Sequence, residues 1–467
     1  MDYAFLRQVL VGLVCNLLIM DSGFHEGWST PLLPKLKEDK SLSIEDHETG
    51  WIINFLYLGV GLGSLLPFLL MDTIGRKGTL LAASIPKVCS WILLGLATNV
   101  TTIYIGRMLA GIGCGVTYSV APIYLGEITS KQTRGLLSTL MAVLINIGML
   151  IIYALGLNFS RFTSSMIAIS VPIIFLLCFI WLPETAVYLT RKNRLTSAER
   201  TLQWALNRKN VDEELEEIKR IVSSESDGNN SFLESLKDVY RKNECRRAFG
   251  IVIILLSALT LSGAAPILAY QSETFSKAGY EFSVDIIIVI SGCTLVAAGC
   301  ICVATVKIAG KRLLLLISAP IAAISLATVA IFFTLEIKGF DVSHIKWIPI
   351  VGVVVYVISY GLALNPIPIA YIGEIFPNDV KVPAAIFCAL YYAAASVIVV
   401  EFYQIIEKSY GTYLAFWSFS VITLLVTYLI YLYVPETEGK SLEEIQTELK
   451  GKKQATCWEI TDLKVRS

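Results

Sequence analysis

Apolar runs long enough to cross a bilayer recur twelve times in this chain, and that recurrence restricts its fold more than any other feature. A span needs about 20 predominantly apolar residues, and such runs lie at 8–28, 50–71, 79–97, 102–124, 136–157 and 165–182, then at 248–270, 282–306, 313–335, 347–371, 384–405 and 413–434. Charge is sparse to match: 16% of residues are charged, where a soluble domain carries about 25%. Backbone polar groups inside a bilayer must be satisfied within the segment, so runs of this length are expected as helices. The chain therefore divides into 1–182 with six spans, a polar cytoplasmic linker 183–247, 248–434 with six more, and a tail 435–467. Within the linker, residues 197–206 and 211–222 have the patterning of amphipathic surface helices.

The placement of charge gives an orientation. With both termini in the cytoplasm, 28 of the 38 basic residues fall inside, 8 outside and 2, Lys87 and Arg107, within spans, as retention of Lys and Arg on the cytoplasmic side requires. Formal net charge is zero, which gives no footprint for nucleic acid. The expected surroundings are the lipid bilayer of the plasma membrane.

Several short polar signatures occur twice, each at the same place in its half. Asp72-Thr-Ile-Gly75-Arg76-Lys77 recurs as Lys307-Ile-Ala-Gly310-Lys311-Arg312, Glu127 with Arg134 as Glu374 with Lys381, and Pro183-Glu184-Thr185 as Pro435-Glu436-Thr437. Three pairs in register argue for two pseudo-symmetric six-helix halves, an all-α membrane architecture suited to a transporter with its site between the halves.

These residues resemble the sugar-porter branch of the major facilitator superfamily. The resemblance is carried by Asp72-x-x-Gly75-Arg76-Lys77, Gly106-Arg107-x-x-x-Gly111-x-Gly113-x-Gly115, Pro122 to Glu127, Arg134-Gly135, Pro183-Glu184-Thr185, Pro366-Ile367-Pro368 and Val434 to Ile445, in the family's order along essentially the whole chain. Gly27 to Pro31 and Asn146 are most similar to the insect facilitated trehalose and hexose transporters. The resemblance implies facilitative transport of a sugar, whether trehalose, a hexose or a polyol, by alternating access. It also implies a cytoplasmic gate in which basic residues at the Arg76, Arg107 and Arg134 positions pair with Glu127, Glu184, Glu374 and Glu436, with Asp72, Lys311, Arg312 and Lys381 completing it. A topology-only role for these basic residues is the alternative, and Lys307 departs from the pattern where the first half has Asp72.

Sugars are held by amides and aromatic rings, because each hydroxyl needs a partner and each ring face can stack. Where the family has amides and a Trp, this chain has Ala142, Leu259, Ala265, Leu295 and Ile369. Thr260, Asn365, Tyr392 and Ser396 remain as expected polar contacts, with Asn146 and His25 as further candidates. Weak glucose binding is expected from that substitution pattern. Pro266 and Pro366/Pro368 should break spans 7 and 10 near the site, and the glycine runs 59/61/63 and 111/113/115 read as close helix packing.

Span 1 also carries Asp21, His25 and Glu26. They form either an intramembrane proton or ligand site or a polar group in water at the outer mouth. The first option leaves open a proton-coupled carrier of another small solute, and the depleted pocket leaves open a non-transporting sensor. Gly439-Lys440-Ser441 lacks the glycine that a phosphate loop needs at 434, which is Val434, so no ATP site is expected. Three histidines are too few and dispersed for a metal site of ordinary spacing, and no serine has the acid and base of a nucleophile. The expectation is a carrier of a small molecule, without a cofactor, and not an enzyme.

Overall fold

Backbone groups in the apolar runs pair along the helix, and the computed structural model contains twelve helices long and apolar enough to cross a membrane among its described residues: 3–39, 42, 44–129, 131–227, 243–277, 284–376, 378–440 and 442–449. Spans 1 to 6 are Tyr3–Glu38, His47–Thr73, Gly75–Leu96, Val100–Ile128, Leu140–Asn158 and Arg161–Phe179. Spans 7 to 12 are Cys245–Ala269, Val284–Ala309, Lys311–Ile337, Ser343–Ile375, Pro383–Tyr410 and Thr412–Tyr433. The architecture is the twelve-helix, two-half fold expected from the duplication.

Spans 2 and 4 meet along the two glycine runs. A Cβ on Gly59 or Gly63 would stand on the carbonyl oxygens of Met108 and Ile112, and one on Gly111 or Gly115 on those of Leu56 and Val60. Removing the side chains lets the two backbones touch. The packing interpretation of these glycines therefore holds.

Span 1 keeps helical backbone angles through Trp28, which joins Tyr3–Gly27 to Ser29–Glu38. Two spans are broken where they approach the centre. Span 7 breaks after Leu261, and Gly263 takes φ +83° before the helix resumes at Ala264. The break thus precedes Pro266, which sits in the first turn of the new helix, where a missing N–H costs little. In span 10 helix Ile348–Ser359 gives way to a π-turn, Tyr360–Leu364, and helix Pro366–Ile375 begins at Pro366. The Asn365 amide reaches back five residues to the Tyr360 carbonyl at 2.9 Å.

The linker is anchored to the first half. Helices Ala186–Arg191, Leu195–Leu206 and Asp212–Asp227 share a small apolar core around Leu189, Leu202 and Leu215. Arg7 and Gln8 of span 1 donate to the carbonyls of Trp204 and Ala205, each at 3.0 Å. After span 12, helix Leu442–Leu449 accepts a bond from Arg247 at the base of span 7.

Candidate functional site: a central cavity and two charged cages

The two halves enclose a cavity whose walls come from both. Glu26, Ser29, Tyr57 and Arg107 face it from spans 1, 2 and 4, and Thr260, Tyr360, Asn365, Tyr392 and Ser396 from spans 7, 10 and 11. Its space is about 40 Å³, room for roughly three waters and too small for a pyranose ring in this conformation. Tyr118 donates to Glu26 at 2.8 Å, and the Tyr392 ring meets Tyr57 edge-on at 5.9 Å.

Four of the six expected substrate contacts thus share one wall, while the other two do not line the cavity. Asn146 instead donates across the halves to the carbonyl of Leu295 at 3.3 Å. His25 is buried beneath the cavity wall, its ring stacked on Trp91 with centroids 4.1 Å apart. Of the five apolar replacements, Leu259 and Ala265 line the cavity, whereas Ile369 is half exposed and Leu295 turns its backbone to Asn146. The polarity missing from the second half is supplied by Glu26, Ser29 and Arg107 of the first.

Arg107 is not part of the gate expected for it. It lies near the start of span 4, 20 residues from Glu127 on the same helix, a separation of about 30 Å. Its guanidinium donates to the carbonyls of Ile52 and His25 and to Ser29 Oγ, and it lies over the Trp28 ring. Arg107 therefore ties spans 1, 2 and 4 together beside the cavity.

Asp21 and His25 are fully buried, so the reading that places them in water fails, and Glu26 faces the cavity. The partner of Asp21 is Lys87 of span 3. Its ammonium lies 3.3 Å from Asp21 Oδ2 and donates to the Leu18 carbonyl at 2.8 Å and Ser22 Oγ at 2.7 Å. Trp91 donates to Asp21 Oδ1 at 2.8 Å, and His25 Nε2 lies 3.6 Å from Oδ2. Sequence reasoning noted Lys87 as an in-span base but had no means of pairing it, since the contact joins helices 66 residues apart.

On the face carrying the duplicated basic motifs, here called the basic face, each half builds the same cage. Gly75, at φ +82°, turns the chain so that the amide of Lys77 reaches both oxygens of Glu184 at 3.1 Å. Gly310, at φ +81°, does the same for Glu436, which accepts from the amides of Lys311 at 3.1 Å and Arg312 at 2.9 Å. A Cβ on either glycine would strike the carboxylate. Tyr124 and Tyr371 then donate to the carbonyls of Pro183 and Pro435 at 2.9 and 2.7 Å. Arg76 pairs with Glu127 at 3.0 Å, and Lys311 with Glu374 at 2.6 Å.

Glu184 and Glu436 therefore cap the first turns of spans 3 and 9 in place of the expected base pairing, because free amides at a helix start favour a carboxylate. Burial pushes the Glu184 carboxyl above its usual range, while the Thr185 and Lys77 amides and Arg76 pull it down. Lys311 also reaches Glu438 at 2.9 Å, so the second cage forms without an acid at Lys307. Arg312 donates to the Tyr431 carbonyl, and Asp72 meets Arg191 at the surface at 3.3 Å. The side chains of Arg134 and Lys381 lie outside the described residues.

A model of the sugar (and other) transporter family matches residues 20–449. The chain belongs to that family. Among similar proteins, the facilitated trehalose transporter Tret1 of Culex quinquefasciatus is 31% identical over 449 residues, 95% of this chain and 86% of that protein. Tret1 of Anopheles gambiae is 32% identical over 448 residues, again 95% of this chain but 56% of the relative. Among solved structures, the major facilitator proton:xylose symporter XylE bound to 6-bromo-6-deoxy-D-glucose superposes with a TM-score of 0.76 at 18% identity, covering 95% of this chain and 99% of that one. Inward-open XylE from E. coli gives 0.76 at 19% identity, over 94% and 99%. The family member described here thus shares the major facilitator fold and is a multi-pass membrane protein.

Proposed function

We propose that this transporter carries a sugar, either trehalose, a hexose or a related polyol, down its gradient by alternating access through the central cavity. The observation that carries the proposal is that both halves line one cavity, so their relative motion would expose it to either side. Thr260, Asn365, Tyr392 and Ser396 would bind hydroxyls from the second half, and Glu26 and Ser29 from the first. The similarity to facilitated trehalose transporters supports the substrate class. The basic residues of the caged face support a cytoplasmic location for that face and both termini, in the plasma membrane.

Proteoliposomes containing the chain should show saturable uptake of labelled trehalose, glucose or a polyol above empty vesicles. Asn365→Ala and Tyr392→Ala should each reduce it about tenfold at matched protein content, as loss of one or two buried hydrogen bonds implies. Uptake indistinguishable from empty vesicles for all three solutes would remove the proposal. A proton-coupled carrier is the second reading, favoured by the Glu26 carboxylate on the cavity wall. It requires uptake that accelerates with an inward proton gradient and loses that dependence in Glu26→Gln; a facilitator is indifferent to the gradient.

A further inference from the structure

One turn beyond the cavity, away from the basic face, two spans and the helix that follows span 7 bring a second polar group together. Span 1 contributes Glu26 to the cavity wall and then Thr30, and span 5 contributes Met149 and then Tyr153, each a step of four residues that keeps the side chain on the same helical face. Leu268 lines the cavity from the last turn of span 7, and after the turn at Tyr270 the helix Gln271–Lys277 begins with Gln271. The Tyr153 hydroxyl stands beside the side chains of Thr30 and Gln271. A Cβ on Gly27 would come within 3.1 Å of the Tyr153 ring, which shows how tightly spans 1 and 5 close there.

Thr30, Tyr153 and Gln271 are at most 1% exposed. Thr30 donates to the Leu268 carbonyl at 2.8 Å, but Tyr153 Oη and both amide atoms of Gln271, although these side chains lie beside one another, make no hydrogen bond of ordinary length. Buried polar atoms are almost always paired. Three unpaired ones in one place, contributed by both halves, mark a position that a polar ligand would complete.

We propose that Thr30, Tyr153 and Gln271 form a second sugar subsite, which receives the second ring of a disaccharide whose first ring occupies the central cavity. The inference rests on the reading of this chain as a sugar carrier. An amide and a phenol each offer both a donor and an acceptor, the combination that neighbouring hydroxyls require. One helical turn is about 5.4 Å, comparable to the span of one pyranose ring. The halves must part on this side for the rings to enter, and the unpaired atoms then regain partners.

The test is equilibrium binding of labelled glucose and trehalose to the purified full chain, comparing the wild type with Tyr153→Phe and Gln271→Leu. Each variant should weaken trehalose binding about tenfold and leave glucose binding within about twofold. Equal losses for both sugars, or no loss for either, overturn the subsite. If the wild type binds glucose but not trehalose, the subsite is wrong and the carrier reading stands; if it binds neither, the subsite is wrong, and the carrier reading falls with it only when polyol uptake is absent as well. Tyr153→Phe removes only an unpaired hydroxyl and should retain the wild-type melting temperature, so its result does not depend on a folding defect.

Discussion

At the scale of single residues, the most consequential contact is Lys87 with Asp21. Both charges are fully buried, and together they neutralise one another inside the first half. Removing one partner of such a pair leaves an uncompensated charge, at a cost of about 3–5 kcal/mol. Lys87→Met should therefore lower thermal stability in detergent sharply, while Asp21→Asn combined with Lys87→Met should restore most of it. Equal destabilisation in the single and double variants would show that packing, not charge, is responsible. The sequence made Asp21 and Glu26 conspicuous because acids are rare in apolar helices. It did not show where they point: Asp21 turns inward to span 3 and Glu26, five residues on, to the cavity, because a helix distributes neighbouring residues around its circumference.

At the scale of elements, the breaks in spans 7 and 10 shape the cavity. The sequence located both through proline, and it was right about the helices. In span 7 the turn itself belongs to Gly263, whose positive φ and lack of a Cβ beside the Phe419 ring no other residue satisfies. Gly263→Ala should cost about 1–3 kcal/mol through backbone strain alone, read as a lower melting temperature, and an unchanged value would show that the turn is relaxed. Pro366 behaves differently, since it opens a helix and its missing N–H is tolerated there. Pro366→Ala returns a donor to span 10 and favours a continuous helix across the π-turn, so transport should fall while stability holds or rises. Unaltered transport kinetics would mean that the irregular turn at Tyr360–Leu364 has no part in alternation.

At the scale of the whole molecule, the duplication legible in three motif pairs appears as two equivalent cages, down to the tyrosine that holds each proline carbonyl. Their ion pairs lie within single halves. Among the described residues, polar contacts that join the halves lie beside the cavity, Asn146 with the Leu295 carbonyl and Thr30 with that of Leu268, and towards the opposite face, Lys37 with Glu273 at 2.8 Å, Asn54 with Glu401 at 2.6 Å, and Gln404 with Thr49 at 3.0 Å. No spacing rule relates residues so far apart in the chain, so these pairings were hidden from the sequence, as was the true neighbourhood of Arg107. Glu401→Ala should make that face open more often, measured as faster thiol labelling of a cysteine placed at Ser272. Arg76→Ala should leave that labelling rate unchanged, and an equal effect of both variants would mean that the first cage also acts on the opposite closure.

The touching backbones of spans 2 and 4 have a consequence at the level of the gene. Every missense change of a glycine codon adds at least one carbon to the residue, and at positions 59, 63, 111 and 115 that carbon would fall on a main-chain oxygen of the facing helix. A helix carbonyl cannot move aside as a side-chain tip can. Inherited variants at these four codons should therefore act by depleting the protein from the membrane, irrespective of which solute is tested.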